Sequence, residues 1–244
     1  MKLTILGKYG PYPAAGGACS GYLIEQGSTR VLIDCGNGVL SRLQQVCKIK
    51  DLSAIVLSHL HSDHMADMLV LRYALEIGRV RGILDMDPIP LYLPESPIET
   101  YELIASSPAF SPEIIKDGLR TEIGGLSFTF CEMTHPVVSY AMAVEDEGKR
   151  LVYTGDTNMN NRIADFAKDA DYFVADAGLL EKDKADPATH LTAEEVGKIA
   201  AHAGVKNLIL SHIWPEYSEQ EIINEASRFY SKPIMAEEMK VYEL

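Results

Sequence analysis

Short runs of apolar residues, separated by segments rich in glycine and polar residues, fill the first part of the chain. Residues 2–6 have the pattern of a strand, and a loop rich in glycine and proline follows at 7–17. Two further strands are predicted at 20–25 and 30–34, because the residues between them are typical of a hairpin turn. A helix is predicted over residues 39–47. The loop at 7–17 is a candidate edge of a pocket.

Asp34 ends the third predicted strand, and we expect it to cap the helix that follows, which is a structural role. A short apolar run at 54–57 then leads into a helix over 65–77, whose apolar residues have helical spacing. Met65 and Met68 belong to that spacing, so we expect both side chains in the core.

The middle of the chain is less informative, and its second half changes to an alternation of strands and helices. Residues 80–120 are predicted to hold a strand at 90–93, a helix at 97–105 and a helical turn at 111–116. Strands are predicted beyond them at 126–131, 139–144, 150–154, 172–175 and 207–210, helices at 160–168, 193–203 and 218–229, and short strands near 233–235 and 240–243. Thr192 and Glu195 have the spacing of a capping box before the helix at 193–203.

Length and composition place the chain among globular α/β proteins. With 244 residues, 47% hydrophobic and 23% charged, it fits one domain over residues 1–244 with a sizeable core. No apolar run has the length of a membrane span, and the N-terminus enters a strand pattern at once, so we expect a cytoplasmic protein. The four cysteines are scattered without a close pair and are expected to be buried free thiols: Cys19, Cys35, Cys47 and Cys131.

Net charge bears on the partners that the protein can bind. The formal charge is −13 and the 22 lysines and arginines are dispersed, so no extensive nucleic-acid surface is evident. Attraction of a single phosphate remains open if divalent ions return positive charge to the site.

The most informative chemistry lies in the segment from His59 to His64, directly after the apolar run at 54–57. It contains His59, His61, Asp63 and His64, and imidazole and carboxylate groups are the ligands of Zn²⁺, Mn²⁺ and Fe where cysteine takes no part. Alternate side chains of an extended segment share a face, so His59 and His61 can reach one ion. Asp63 and His64 follow at the turn into a helix and can point at a second ion nearby.

Three more potential ligands follow the ends of predicted strands, namely His135, Asp156 and His212. Together with the segment 59–64 they resemble the motifs of the metallo-β-lactamase superfamily, in the same order along the chain. The resemblance implies a four-layer αββα sandwich with metals at one edge of the sheets. It also implies that His59, His61 and His135 bind one ion, that Asp63, His64 and His212 bind the other, and that Asp156 bridges both.

The segment His190–Glu195 is similar to the His-x-Thr loop of ribonuclease Z and related phosphodiesterases, in which this histidine is the proton donor near the scissile phosphate. Asp176 is placed to orient His190, although it stands where the family often has His-Glu-Ala. Ribonuclease Z has a tRNA-binding arm between the third and fourth motifs, but here only two strands and a turn separate His135 from Asp156. The resemblance therefore indicates a ribonuclease-Z-like protein without the arm.

Our leading hypothesis is that a water molecule bridging two ions hydrolyses a phosphodiester with the help of two catalytic residues. Asp63 would accept the proton of the water, and His190 would protonate the leaving oxygen. The substrate would be a small diester, such as a cyclic nucleotide, or the 3′ end of an RNA, and the resemblance allows a homodimer. Three alternatives stay open: tRNA 3′ processing without the arm, thioester or lactone hydrolysis with His190 idle, and a metal-bound binding module without turnover.

Overall fold

Two sheets of seven strands each form the centre of the protein, for which a computed structural model describes every residue from Met1 to Leu244. In spatial order the first sheet contains β14 (Val241–Glu243), β1 (Lys2–Gly7), β2 (Gly21–Gln26), β3 (Thr29–Ile33), β4 (Ala54–Val56), β5 (Ile89–Leu93) and β6 (Phe110–Ile114). The second contains β13 (Ile234–Met235), β12 (Leu208–Ser211), β11 (Tyr172–Asp176), β10 (Lys149–Tyr153), β9 (Ser139–Asp146), β8 (Leu126–Met133) and β7 (Arg120–Ile123).

Six helices cover the outer faces of the two sheets. They are α1 (Val39–Val46), α2 (Ser62–Val80), α3 (Ile98–Ala105), α4 (Ile163–Phe166), α5 (Ala193–Ala203) and α6 (Glu219–Ala226). The first three pack against the first sheet and the last three against the second. Two short 3₁₀ turns, Ile49–Asp51 and Glu181–Asp183, complete the elements. None of the helices has the length and apolar character that crossing a membrane requires.

The apolar runs of the central strands have a simple cause, because both faces of each sheet are covered. In β2, Tyr22 and Ile24 belong to the core between the sheets, whereas Leu23 belongs to the core under α1 and α2. A strand buried on both faces needs apolar residues at consecutive positions instead of alternate ones. The chain thus forms the αββα sandwich that the family resemblance implies.

Strand direction gathers the chemistry at one edge of the sandwich. β3 and β4 run parallel, and so do β10, β11 and β12, while β8 and β10 each pair antiparallel with β9 and therefore share a direction. The carboxyl ends of parallel strands lie at the same edge of a sheet, where open α/β folds place their ligands. The loops after β4, β8, β10, β11 and β12 meet at this edge.

Most predicted elements are present, but one predicted helical turn is wrong, one strand was not predicted, and one predicted helix is too long. Residues 111–116 are predicted to be a helical turn but contribute to β6, which pairs parallel with β5 at the end of the first sheet. Ser111, Pro112 and Glu113 suit a helix start, yet pairing with β5 prevails, and an edge strand tolerates Pro112. No strand is predicted at the position of β7, and α4 is shorter than the predicted helix over 160–168.

Several local predictions are confirmed. Helix α5 begins and ends where the pattern predicted, and Thr192 and Glu195 form the expected capping box at its start. Met65 and Met68 are buried in the core beneath α2. All four cysteines are buried free thiols.

Candidate metal centre

The loop between β4 and α2 brings four side chains to the site. Strand β4 ends at Val56, and the chain remains buried through Leu60 before it turns into α2 at Ser62. His59 and His61 lie in the extended part of this loop, whereas Asp63 and His64 lie in the first turn of α2. The change from strand to helix aims the two pairs at neighbouring positions, as the sequence predicts.

Three imidazole nitrogens converge on one point. His59 Nε2 and His135 Nε2 each lie 3.1 Å from His61 Nδ1. Tetrahedral coordination with metal–nitrogen distances of ~2.0–2.1 Å would place ligand nitrogens about 3.3 Å apart. Burial lowers the pKa of all three rings, so they are neutral at neutral pH, the form that binds a metal.

A second group forms from Asp63, His64 and His212. His212 Nε2 lies 3.1 Å from Asp63 Oδ2, and His64 Nε2 lies 3.7 Å from the same oxygen. His212 follows β12 directly and has a positive φ of 56°, which turns its ring back towards the loop of β4. The three side chains therefore come from both sheets and meet on one side of the site.

Asp156, which follows the end of β10, lies between the two groups. Its Oδ1 is 3.1 Å from His64 Nε2, and its Oδ2 is 3.3 Å from His212 Nε2 and 3.5 Å from His59 Nε2. With Asp156 included, the possible ligand atoms of each group lie within 4.8 Å of one another. A carboxylate in this position can serve both groups, as the resemblance implies.

Two buried atoms support the fit of this site to metal ions. His64 Nε2 and Asp156 Oδ1 approach each other without forming a hydrogen bond, and both are buried without any hydrogen-bond partner. A buried polar atom without a partner is costly unless an ion or water satisfies it. These donors therefore fit one or more divalent cations.

Charge at the centre favours a cation as well. Burial alone would raise the pKa of Asp156, but the charges of His212 and His64 outweigh burial and hold the pKa well below its usual range. Burial alone would lower the pKa of His64, but the carboxylates of Asp156 and Asp34 raise it to about 10. The carboxylate-rich surroundings thus attract positive charge, either as a proton or as a metal ion.

Asp34 has a role that differs from the predicted helix cap. Helix α1 begins after Gly38 without a side-chain cap, and Asp34 is instead fully buried behind the loop of β4. Its carboxylate accepts hydrogen bonds from Ser58 N at 2.7 Å, Ser58 Oγ at 2.9 Å and Tyr153 Oη at 2.9 Å, and contacts His64 Nδ1 at 2.8 Å. Ser58 Oγ also lies 3.1 Å from His59 Nδ1.

Asp34 therefore orients one candidate ligand directly and a second through Ser58. The feature of the sequence that could have indicated this role of Asp34 is its position at a strand end, which His135 and Asp156 share. The partners of Asp34 are distant in sequence. The pairing of β3 with β4 brings Ser58 next to it, and the packing of the two sheets brings Tyr153.

His190 lies at the open side of the centre. Its Nδ1 is 2.9 Å from Asp176 Oδ2, and its ring stacks on that of His212 with centroids 4.9 Å apart and an interplanar angle of 17°. The side chain is 22% exposed, whereas those of His64 and His59 are fully buried. Burial alone would lower its pKa, but the charge and hydrogen bond of Asp176 outweigh burial and raise it. The contact between Asp176 and His190 agrees with the expected orienting role.

The glycine-rich loop also borders the site. Gly10 N donates to Ile213 O at 3.2 Å, and Ile213 N donates to Lys8 O at 2.8 Å, which ties the loop to the segment that carries His212. A Cβ at Gly10 would lie 2.0 Å from His212 Nε2, so only glycine fits against this ring. The loop therefore borders the candidate centre, whereas its role as the edge of a pocket stays a prediction.

Comparison with known families decides the identity of this fold. A model of the beta-lactamase superfamily domain matches residues 29–213, which is more than half of the chain. The chain belongs to the metallo-β-lactamase superfamily.

Relatives within the metallo-β-lactamase superfamily indicate the class of reaction. The chain is 35% identical to the probable metallo-hydrolase YhfI of Bacillus subtilis over 218 residues, which are 87% of each protein. The crystal structure of YhfI superposes with a TM-score of 0.92 at 30% identity, over 99% of this chain and 98% of YhfI. Ribonuclease Z of Archaeoglobus fulgidus is 24% identical over 300 aligned positions, which cover 100% of this chain and 98% of that protein. The protein is thus a metal-dependent hydrolase with relatives among the ribonucleases Z.

The structure also shows what separates His135 from Asp156. The interval contains β9, a two-residue turn at Glu147 and Gly148, and β10. No inserted arm is present between these positions, as the sequence predicts.

Proposed function

We propose that the protein is a two-metal phosphodiesterase that hydrolyses a small phosphodiester. The observation that carries this proposal is the position of His190. Its ring contacts the rings of His135 and His212, one from each candidate metal group, while its own Nδ1 is bound by Asp176. A histidine that is held beside a metal centre and partly open to solvent is suited to give a proton to a leaving group.

Seven side chains would hold the ions. His59, His61 and His135 would bind one ion and Asp63, His64 and His212 the other, with Asp156 between them. When bound, divalent ions lower the pKa of a water molecule and offset the negative charge of phosphoryl oxygens. Zn²⁺, Mn²⁺ and Fe all accept this set of imidazole and carboxylate ligands. The availability of each metal in the cell therefore determines the native metal as much as the site does.

Two side chains would move protons. Asp63 Oδ2 lies against His212 Nε2, and the second oxygen of this carboxylate would accept a proton from the attacking water. His190 donates Nδ1–H to Asp176 Oδ2, which fixes the ring and leaves Nε2 as the atom that delivers a proton to the leaving oxygen. Asp63 would thus bind an ion and accept a proton, and His190 would donate one.

A small substrate is favoured over tRNA. The chain has no arm between His135 and Asp156, and its net charge of −13 opposes a long polyanion. The ribonuclease Z relatives support phosphodiester chemistry at such a centre. We therefore expect the substrate to be a compact diester such as a cyclic nucleotide. We also expect the protein to act in the cytoplasm.

The experiment that tests the reaction class compares substrates on protein of known metal content. We expect turnover of bis(p-nitrophenyl) phosphate and of cyclic nucleotides, and little or none of a lactone and thioester panel or of precursor tRNA. Faster turnover of lactones or thioesters would replace the proposal with acyl hydrolysis, and cleavage of the tRNA 3′ end would replace it with tRNA processing. Full metal occupancy without any turnover would indicate a binding module.

Replacing His190 by alanine tests the proton donor. We expect the rate with a phosphodiester that has a poor leaving group to fall by ~10²–10⁴-fold, the usual contribution of a general acid. The metal content, measured by elemental analysis, should be unchanged, because all seven candidate ligands remain. His202→Ala is the matched control, since His202 is an exposed residue in the last turn of α5. Unchanged turnover in His190→Ala would remove the assigned role.

A further inference from the structure

Three aromatic side chains lie together beside the centre. Tyr12 belongs to the glycine-rich loop, and Trp214 and Tyr217 belong to the segment after His212. The rings of Tyr12 and Trp214 meet edge to face at 6.2 Å, and those of Trp214 and Tyr217 lie 6.5 Å apart. We refer to Tyr12, Trp214 and Tyr217 as the aromatic rim.

The backbone places this rim next to His212. Gly10 rests directly on the His212 ring, and Tyr12 follows two residues later, just as Trp214 follows His212 two residues later. The hydrogen bonds between Gly10 and Ile213 hold the two segments side by side. The hydroxyl of Tyr12 also bonds Glu216, and Tyr217 N donates to Trp214 O at 3.0 Å. The rings are therefore held in place and do not hang freely in solvent.

The rim leaves apolar surface open to water. Tyr12 is 42% exposed and Trp214, the single tryptophan of the chain, is 38% exposed. An edge-to-face contact covers at most one face of either ring. Exposed aromatic faces beside a reaction centre are suited to stacking against a flat ligand.

Charge indicates what kind of ligand this is. Lys8 is the only lysine or arginine in residues 8–17 and 211–220, and its ammonium is buried against Glu219 at 2.6 Å. Glu216, an exposed carboxylate between Trp214 and Tyr217, adjoins the rim, so the rim offers no attraction to phosphate. The phosphodiester must be bound at the metal centre, and the rim can contribute only through its rings.

We propose that Trp214 and Tyr12 form the stacking surface for the base of a nucleoside phosphodiester whose phosphate occupies the metal centre. The proposal rests on the proposed phosphodiesterase function and names the substrate class as a nucleotide diester. Stacking of bases on aromatic side chains tolerates different bases, because every base has a flat π face. The rim therefore selects for a base without selecting strongly among bases.

The single tryptophan gives a direct test that does not depend on turnover. Metal-loaded protein is titrated with AMP and, separately, with ribose 5-phosphate, while the emission of Trp214 is followed. We expect AMP to quench the emission with saturation and ribose 5-phosphate to leave it nearly unchanged, because only AMP carries a base. In Tyr12→Ala, which retains the tryptophan, the AMP concentration for half-saturation should rise several-fold. Equal responses to both ligands, or no response to AMP, would overturn the proposal.

Kinetics supply the second test. In Trp214→Ala we expect KM for a 3′,5′-cyclic nucleotide to rise about 10-fold, equivalent to ~1.4 kcal/mol, with kcat within about 2-fold. The 3′,5′-cyclic phosphate of methyl riboside, which has neither a base nor any other aromatic ring, should be hydrolysed as before, and Trp214→Phe should recover most of the loss. Tyr73→Ala is the matched control, because Tyr73 is an exposed aromatic residue of α2 outside the rim.

The two tests separate the failure of this inference from the failure of the proposed function. Quenching by AMP in a protein that cleaves no phosphodiester would keep the base-binding surface and reject the phosphodiesterase. Cleavage of both diesters with equal losses in Trp214→Ala would keep the phosphodiesterase and reject the surface.

Discussion

The loops after β3 and β4 of the first sheet and the carboxyl ends of the second sheet each bring a histidine and a buried carboxylate to the same centre. On the loop side, His64 Nδ1 lies 2.8 Å from Asp34, and on the sheet side, His190 Nδ1 lies 2.9 Å from Asp176. The local chemistry is nearly the same. The surroundings differ, because the His64 side chain is fully buried and that of His190 is 22% exposed.

This difference separates two uses of one arrangement. In both cases a carboxylate at Nδ1 fixes the ring and leaves Nε2 pointing away from that carboxylate. Nε2 of His64 faces Asp156 in the buried centre and is suited to bind an ion. His190 is reached by solvent and is suited to exchange protons with a substrate. Burial, and not the hydrogen bond, distinguishes the candidate ligand from the candidate proton donor.

The largest expected effect removes the residue that the two regions share. Asp156→Ala deletes a carboxylate that approaches candidate ligands from both sheets, so we expect loss of metal and of activity together. Loss of metal-ion stabilisation, worth several kcal/mol, should lower the rate by about 10³-fold or more. Elemental analysis and phosphodiester turnover on the same sample check this expectation.

The control for Asp156→Ala is Asp171→Asn. Asp171 is also a buried aspartate of the second sheet region, but it pairs with Lys206 away from the centre. This variant should retain metal and activity even if it is less stable. An Asp156→Ala protein with full metal content would show that the two groups of ligands do not depend on a shared carboxylate.

The two regions also differ in what the sequence reveals. The segment from His59 to His64 is contiguous, so its ligand types and spacing identify a metal site directly. His135, Asp156 and His212 are single residues, and their common position after strands is what joins them. Asp34 has the same position, but a strand-end aspartate before a helix is equally typical of a cap. Its partner Ser58 becomes a neighbour only when β3 pairs with β4, and its partner Tyr153 only when the two sheets pack.

The same limit applies to the fold. Elements buried on both faces, such as β2, or bounded by a cap, such as α5, are predicted closely because their own residues determine them. At the sheet edges, β6 is predicted to be a helical turn and β7 is not predicted at all. Pairing with a neighbouring strand, and not the local pattern, determines both. The candidate ligands lie where the predictable strands end, so their convergence could be expected from the sequence, whereas the pairing at the sheet edges could not.

A paired substitution tests whether the two carboxylates have different uses. Asp34→Asn should weaken metal binding by about 10–100-fold, the typical cost of losing a group that orients a ligand, while turnover at saturating metal is affected less. Asp176→Asn should show the reverse, with turnover reduced by about 10–100-fold at full metal content, because His190 loses its charged partner. Metal titration followed by kinetics at saturating metal gives both quantities for each variant.

Equal profiles for the two variants would contradict the comparison. A loss of metal affinity in Asp176→Asn as large as that in Asp34→Asn would mean that the contact of Asp176 Oδ1 with His212 Nδ1, at 3.5 Å, matters more than its contact with His190. Thermal unfolding of both variants controls for a general loss of structure, since each carboxylate also accepts backbone hydrogen bonds.

The smallest expected effect comes from Gly10→Ala, which perturbs one group of ligands without removing any. The added methyl would lie 2.0 Å from His212 Nε2, so either the ring or the loop must move. Displacement of one ligand should weaken binding of the ion held by Asp63, His64 and His212 by roughly 10-fold, less than the loss of a ligand-orienting carboxylate. The ion held by His59, His61 and His135 should bind as before, so metal titration should separate into two steps. Ala15→Ser, in an exposed part of the same loop, should leave a single unperturbed profile. Equal weakening of both ions in Gly10→Ala would mean that Asp156 couples the two groups so tightly that they act as one site.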